Sequence, residues 1–590
     1  MSYFAAYVGA AEGSEAGAIR DACRRAVART IAPSEIAELS VGDLFVAYWR
    51  PGCEVHRDGD TGCLGAGDII VPGSSSTAED ASRIAASIGE GGAAMLSLLR
   101  DARGSFALIA WSADGARVCA ATDFVGVYPV YYARLGSGVL ITTSLGFVRD
   151  ILGADARYDR QGVLEKAAFG YPLGDRTPLA GVHALESAEA ILVDPEPRRV
   201  RYWDWFAEDV EEEPDLDKLA RDVHGALVES VRVRVARVGA EFCQLSGGMD
   251  SRMIAFLLAE AGHAPTLLSY GSKETYDLAL ATEIAKRLPG RHYAHVLDAS
   301  SVASVGGNDR VTAELIDEII GHERGRRPIW CGQGGSVVLG GTYLSEVSLP
   351  AVGEGMERMA EVLRDGLHAG FSARVVRLDG DAKNFVRNLI FRELARFDIR
   401  RRDQVPYRFL MTNDQRRHQH SFVERAVETR VQFISPILDA AVVKQMLRCP
   451  AVEVPLHRFY TRLFELLPAA ARSVAWQTYP GHAPCPLPPP EGLSSQFRAP
   501  ALRRDAQAQR RMSWKLICAV ASPGWPSDIL RRAPALAAAV EGVIGLGRYS
   551  YVVRAAYSVL DWTRIPPGEL RSSLPVVSRQ ALESAWDRTL

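Results

Sequence analysis

The sequence predicts a mixed α/β and α+β protein in two parts. The first is a β-sandwich domain, and the second is built on a doubly wound parallel sheet with a large helical share. Three observations carry this. Short β-type runs separated by Gly, Asp and Ser turns fill the first two hundred residues, whereas strands and helices alternate from about Glu212. At 590 residues the chain is too long for one core. The boundary is expected between residues 205 and 206, giving parts 1–205 and 206–590, with a helical C-terminal extension from about 490.

Bulk properties narrow the setting. Hydrophobic residues make up 47% of the chain and charged residues 24%, with a net charge of −3. No global charge excess points to nucleic acid. The local clusters Arg324-Gly-Arg-Arg327, Arg400-Arg-Arg402 and Arg510-Arg511 read as solvated faces or ion-pair partners. Nine cysteines are scattered without CxxC or Cys/His ligand spacing, as expected of free thiols in a reducing compartment. The opening Met1-Ser-Tyr-Phe-Ala-Ala-Tyr reads as a strand without a basic leader, and no apolar stretch is long enough for a bilayer. A cytoplasmic protein with neither membrane nor nucleic-acid partner is expected.

Taken in order, Val46–Trp49, Phe106–Trp111, Val118–Ala121 and Val139–Thr143 read as strands of the first part. In the second, Leu216 to Val235 has the spacing of an amphipathic helix. The apolar run Phe242-Cys-Gln-Leu245 is a strand and Arg252 to Ala261 a helix. Pro265–Gly271 is a second buried strand, followed by a helix from Thr275 to Leu288. A site is expected at the C-terminal ends of these strands. The chain to about 484 reads as mainly helical. Pro484–Gly492 is a proline-rich linker, and the tail is helical and rich in Ala, Arg and Leu.

Between the Phe242 strand and the next helix lies Ser246-Gly247-Gly248-Met249-Asp250-Ser251. Strand, hydroxyl- and glycine-rich turn and helix N-terminus together make a cradle for a polyphosphate. The glycines let backbone N–H groups approach the anion, the serines add hydroxyl donors, and the helix end adds partial positive charge. Asp250 suits a Mg²⁺ ion held jointly with phosphates. The turn lacks the lysine and spacing of a Walker P-loop. It resembles the SGGxDS signature of PP-loop ATP pyrophosphatases, which implies cleavage of ATP to AMP and pyrophosphate with an acyl-adenylate left behind. ATP and Mg²⁺ are therefore the expected cofactors.

The first part resembles the class II glutamine-amidotransferase half of asparagine synthetases. The likeness rests on Arg103-Gly-Ser-Phe-Ala-Leu-Ile-Ala-Trp-Ser-Ala-Asp114, on Thr122-Asp-Phe-Val-Gly-Val-Tyr-Pro-Val-Tyr-Tyr132, on the helix at Phe147–Leu152, and on Gly181-Val-His-Ala-Leu and Arg201-Tyr-Trp-Asp204. That family uses an N-terminal Cys as glutaminase nucleophile. Here the second residue is Ser2, so this domain is expected to be a scaffold without glutaminase activity.

The family's second signature, SGxGxDExFGGY, corresponds to Trp330-Cys-Gly-Gln-Gly-Gly-Ser-Val-Val-Leu-Gly-Gly-Thr-Tyr343. Its glycines, Gly332 and Gly334 among them, fit. Gln333 replaces the usual Glu or Tyr, and Ser336-Val337 replace Asp-Glu, so metal binding leans harder on Asp250. The resemblance places ATP on Leu245, Ser246, Gly247, Gly248, Met249, Asp250, Ser251, Leu268, Tyr270, Gly271, Gly332 and Gly334. Glu424 to Asp439 resembles the ExRxPFLD stretch, where Glu428, Arg430 and Asp439 read as an ion-pair network. Upstream, His418 and His420 are candidate bases for an attacking amine, since imidazole titrates near neutrality. Gln477, Thr478, Tyr479 and His482 stand where the family carries a flexible Lys loop, and Arg472 could supply the missing charge. Gln333, His418, His420 and His482 form the candidate catalytic set.

The extended length, the long helical C-terminal part and the Trp476-Gln-Thr-Tyr-Pro-Gly-His-Ala-Pro-Cys485 turn look most like lasso peptide macrolactam synthetases. That likeness implies an AMP-forming carbon–nitrogen ligase that adenylates a carboxylate in the leader-free core of a ribosomal precursor peptide and closes it on an amine. A leader peptidase is a candidate further partner. β-Lactam synthetase-like or asparagine synthetase-like ligation of a small molecule is the alternative within the class. Two readings from other classes are a PP-loop tRNA-modifying enzyme, which would not need the first part, and a non-catalytic nucleotide-binding scaffold, which the missing acid at Ser336 would suit.

Overall fold

A computed structural model describes residues 4–9, 14–205, 214–273, 275–297, 308–321, 326–344, 350–367, 375–378, 381–397, 402–477, 484–495, 506–545, 550–563 and 576–578. The β-type runs of the first part pair into two stacked sheets. One has the order Val182–Ala184, Tyr131–Leu135, Gly138–Thr142, Phe4–Val8, Leu44–Trp49, Ile36–Val41. The other runs Val576–Ser578, Pro197–Arg201, Glu189–Val193, Val118–Thr122, Arg103–Trp111, Thr61–Ile70, Glu54–Asp58. Within this part neighbouring strands are antiparallel.

Strand Val118–Thr122 is buried throughout, and Arg103–Trp111 nearly so. Both faces of the second sheet are therefore covered, and helices Thr77–Glu90 and Gly92–Asp101 supply Ile84, Ile88, Met95 and Leu99 to the same core. On the first sheet, helix Ser14–Thr30 sets Ile19, Cys23 and Val27 against Tyr7, Phe45 and Trp49. The sandwich is thus sheathed in helices. That 17-residue first helix is absent from the strand-dominated sequence reading, because its apolar positions are mostly alanines between charges.

The TDFVGVYP stretch has a local physical role. Asp123, fully buried, accepts backbone N–H bonds from Val125, Gly126 and Val127 on Oδ1 and from Phe106 and Tyr128 on Oδ2. One carboxylate thereby satisfies the amides of a tight corner that strand pairing leaves unused.

The second part carries a five-stranded parallel sheet ordered His292–Val296, Thr266–Gly271, Phe242–Gln244, Arg327–Trp330, Val431–Ile434. The first three strands progress outward in one direction and the last two in the other. A crevice follows at the C-terminal ends of Phe242–Gln244 and Arg327–Trp330, as in doubly wound folds. Val431–Ile434 adds a short strand to the mainly helical stretch before 484.

Helices Ala506–Ala521, Arg532–Val543 and Ser550–Leu560 of the C-terminal extension fold back on the first part. Leu516, Ile529 and Ala556 pack there with Tyr158, Val163 and Leu164. Val576–Ser578 then joins the second sheet, parallel to Pro197–Arg201.

The two parts share a core. Phe106 and Leu108 of the second sheet, Leu219, Val223 and Leu227 of helix Leu216–Val238, and Met253 and Leu257 of the cradle helix belong to one apolar cluster. Beside it sits a buried charge cluster. Asp439 takes Arg103 in a two-pronged bond (3.0 and 3.1 Å) and Arg234 at 2.6 Å, while Arg234 also binds Asp68 at 2.5 Å. Arg430 pairs with Glu35. The side chain of Glu428 lies outside the described residues. All nine cysteines are free thiols. No helix among the described residues is long and apolar enough to cross a membrane.

Candidate active site

At the divergence of the parallel sheet its strand ends open into a cavity of about 650 Å³, within the range of ligand sites. Leu245, Ser246, Gly248, Asp250 and Ser251 form one wall, Leu268, Tyr270 and Gly271 a second, and Gly332, Gln333 and Gly334 a third. Asp414, Gln415, His418 and Gln419 close the side facing the helices.

The cradle is pre-shaped by its own side chains. Ser251 Oγ accepts the Ser246 N–H (3.0 Å) and lies 2.9 Å from Ser246 Oγ, which in turn accepts the Gly248 N–H at 3.2 Å. Helix Met249–Glu260 begins at Gly248 with no side-chain cap among the described residues, which leaves its N-terminus suited to an anion. Two further glycines are dictated by space. A Cβ on Gly335 would stand 2.4 Å from the Asp250 carboxyl carbon, and one on Gly332 2.4 Å from the Asp250 carbonyl carbon.

Asp250 accepts the Tyr460 hydroxyl at 2.5 Å. Burial pushes its carboxyl up to about 6, against the opposing pull of that bond and the Ser336 amide. No cation contributes. Across the cradle, the Asp277 carboxylate accepts the Gly247 N–H at 2.9 Å and is likewise raised by burial. Among the described residues the cavity walls carry Asp250, Asp277 and Asp414 but no lysine or arginine.

Arg252 lies behind the cradle, fully buried. It donates to the carbonyls of Ala471, Val474, Ala475 and Gly247, and burial lowers it to about 10. The Gln477 N–H bonds the same Gly247 carbonyl. Residues 471–477 are thus tied to the serine–glycine turn. Thr478, Tyr479 and His482 lie outside the described residues, as does Ser2.

The structure sorts the remaining sequence candidates. Gly247 and Met249 are not on the cavity wall: Gly247 links Asp277 to the 471–477 segment, and Met249 is buried in the core. His418 faces the cavity. His420 does not, which corrects the pairing of the two histidines. Its ring is buried against the first part, with Nε2 2.9 Å from the Gly126 carbonyl, and burial holds it well below the usual imidazole range. Arg472 is exposed, with Nε on the Leu467 carbonyl, away from the cavity walls.

Asp277 and Asp414 were missed in the sequence. The first could have been found as the acid opening the helix after the second strand of the sheet. The second gave no such signal, because its orientation depends on a stretch of π-helix, Leu410–Gln415, running directly into helix Arg416–Thr429.

A family profile described as glutamine amidotransferase domain matches residues 73–203, and one described as asparagine synthase matches residues 222–324. Together with the sandwich and the parallel sheet they support an asparagine synthetase-like architecture, the amidotransferase match first and the asparagine synthase match second. Amidase chry2 of Gibberella zeae is 24% identical over 298 residues, 49% of this chain and 40% of that protein. Amidase chyE of Penicillium rubens is 25% identical over 173 residues, 28% of this chain and 25% of its own length. The chain therefore spans less than half the length of these curated relatives. Two solved structures align at 10% identity. The allosteric regulatory enzyme of purine biosynthesis has a TM-score of 0.23 (62% of this chain, 78% of that one), and glutamine phosphoribosylpyrophosphate amidotransferase from B. subtilis has 0.22 (62% and 79%). These scores are too low to carry an argument.

Proposed function

We propose that this chain is an ATP-dependent, AMP-forming amide ligase working in the cytoplasm. The observation that carries the reading is the helix N-terminus behind Ser246–Ser251, placed at the switch point of a doubly wound sheet and matched there by an asparagine synthase profile. The adenine would occupy the slot between Leu245 and the Leu268–Gly271 strand end, with the phosphates on the serine and glycine amides. A substrate carboxylate would attack the α-phosphorus, pyrophosphate would depart, and an amine would then take the acyl group.

Mg²⁺ fits this site. Three carboxylates on a wall without lysine or arginine would repel a bare triphosphate, and hard oxygen donors are what the ion takes. Asp250 would hold it, aided by the phosphates. When bound, the ion would neutralise charge on the phosphate oxygens. Asp277, whose carboxylate holds the Gly247 amide, keeps the turn in shape.

The finer reading is macrolactam closure on an amine of the same peptide, with the leader-free core of a ribosomal precursor as substrate and a leader peptidase as partner. It rests on the sequence likeness alone. Holding both groups in one cavity would give the second step a large effective molarity. The curated relatives named amidases likewise concern amide bonds.

Two measurements test this. Labelled pyrophosphate should exchange into ATP in the presence of the right carboxylate, and Asp250→Ala should abolish it; accumulation of ADP instead of AMP would refute the reading. A core peptide should lose the mass of one water on incubation with ATP. Ligation of two separate molecules instead would replace macrolactam closure with the small-molecule alternative.

A further inference from the structure

Resting on the ligase reading, the geometry points to a proton-transfer device on the cavity wall opposite the phosphate turn, one that the first domain helps to build: we propose that His418 is the general base for the attacking amine, positioned by Asp414 and by Tyr171 of the amidotransferase-like domain.

His418 Nδ1 lies 3.2 Å from Asp414 Oδ1 and 3.1 Å from the Asp414 carbonyl, so this nitrogen carries the hydrogen in the neutral ring. The side chain is 49% exposed and lines the cavity, which leaves Nε2 as the nitrogen offered to substrate. Asp414 is buried and also accepts the Tyr171 hydroxyl at 2.7 Å, while the Tyr171 ring meets the His418 ring edge-on at 5.4 Å. The Asp414 bond raises His418 above the ordinary imidazole range. Asp414 on its own helix and Tyr171 across the domain boundary face the ring, and Tyr343 and Arg417 flank the Tyr171 hydroxyl.

The wall is held from the first domain. Asn413 Oδ1 accepts the Gly174 N–H at 2.8 Å, and buried Arg416 and Arg417 donate to the carbonyls of Gly174, Leu185 and Arg176. The π-helical stretch Leu410–Gln415 ends at this clamp. It turns Asp414, Gln415, His418 and Gln419 toward the cavity, while His420 turns away. A domain expected to lack glutaminase activity would in this way retain a catalytic purpose.

The step balances without a co-reactant. As the amine lone pair forms the C–N bond, the C–O bond to AMP breaks and its electron pair leaves on the phosphate oxygen. The ammonium proton passes to Nε2 of His418 and from there to solvent.

The test separates adenylation from amine capture. Wild type, His418→Gln, His418→Asn, Asp414→Asn and Tyr171→Phe are assayed for pyrophosphate exchange with free amino acids and with peptides bearing Asp or Glu side chains. Hydroxamate formation with hydroxylamine, an amine largely unprotonated at neutral pH, and formation of the true amide are then followed with the carboxylate that supports exchange. Both His418 variants should keep exchange and hydroxamate formation but lose amide formation by about 10²–10⁴-fold, the usual contribution of a general base. Asp414→Asn should shift the acid limb of the amide-forming rate to lower pH, because the carboxylate that raises the imidazole is gone. Tyr171→Phe should lower kcat with the amine KM unchanged. Undiminished amide formation in the His418 variants, parallel loss of hydroxamate, or an unmoved acid limb in Asp414→Asn overturns the base. Absence of exchange in the wild type across the whole panel overturns the adenylation reading, and the base falls with it.

Discussion

Asp250, the proposed Mg²⁺ ligand, would be held ready for binding at a cost to the empty protein. Its carboxyl titrates at about 6 in the folded chain instead of the ordinary 3.8, so between those values the native state binds more protons than the unfolded one. Stability therefore falls as pH rises through that window, and the deficit persists above it. Asp250→Asn keeps an acceptor for Tyr460 and removes the charge. At pH 7.5, without nucleotide, it should raise the thermal midpoint, by at most about 3 kcal/mol of stability for a shift of this size. At pH 4 wild type and variant should melt together, and the variant should lose AMP formation. Equal midpoints at pH 7.5 would mean that the buried charge is not strained. At this scale the order strand, SGGMDS, helix was legible in the chain, whereas the placing of Gly247 and Met249 off the cavity wall was not. Asp277 was not, because its meaning comes from the Gly247 amide thirty positions earlier.

The turn after strand Arg327–Trp330 illustrates the next scale. Gly332 and Gly335 are small because the cradle helix crosses them at contact distance, not because the backbone there needs a positive φ. Gly335→Ala should displace the Asp250 carboxylate and raise the KM for Mg·ATP by about 10–100-fold, as expected from an ångström-scale misplacement in a site. Gly353→Ala, exposed in the short helix Pro350–Glu354 with open space around it, should leave the constant unchanged in the same titration. Strands with continuous apolar runs and the helices beside them were readable. Strand Val431–Ile434 was hidden because it is only four residues long, set between a long polar helix and a proline turn. The π-helical stretch was hidden because its hydrogen-bond slip leaves no mark in residue spacing. With it went the distinction between His418, turned inward, and His420, turned to the Gly126 carbonyl.

Over the whole molecule, the charge cluster around Asp439 stitches the two parts together. The carboxylate of Asp439 is held near 2 by Arg234 and Arg103, despite burial that opposes ionisation, while Asp68 is raised by the same burial. Arg234→Met would leave two buried carboxylates with one guanidinium between them and should cost about 3–5 kcal/mol, read as a lower denaturant midpoint. The variant should recover part of that loss on acidification, as Asp68, already raised by burial, takes up a proton. None of this was visible in the chain, since Asp68, Arg103, Arg234 and Asp439 are brought together by folding across some 370 positions. The sequence did announce two regions of different texture, yet it offered no hint that the tail would return to the first sheet.

That return has a practical corollary. Because Val576–Ser578 completes a sheet begun hundreds of residues earlier, and Leu516, Ile529 and Ala556 shield Val163 and Leu164, excising either half exposes greasy surface that the other was hiding. Chimeras that swap the front module for a working glutaminase would inherit a mismatched seam. Engineering here should proceed by point substitution inside an intact polypeptide.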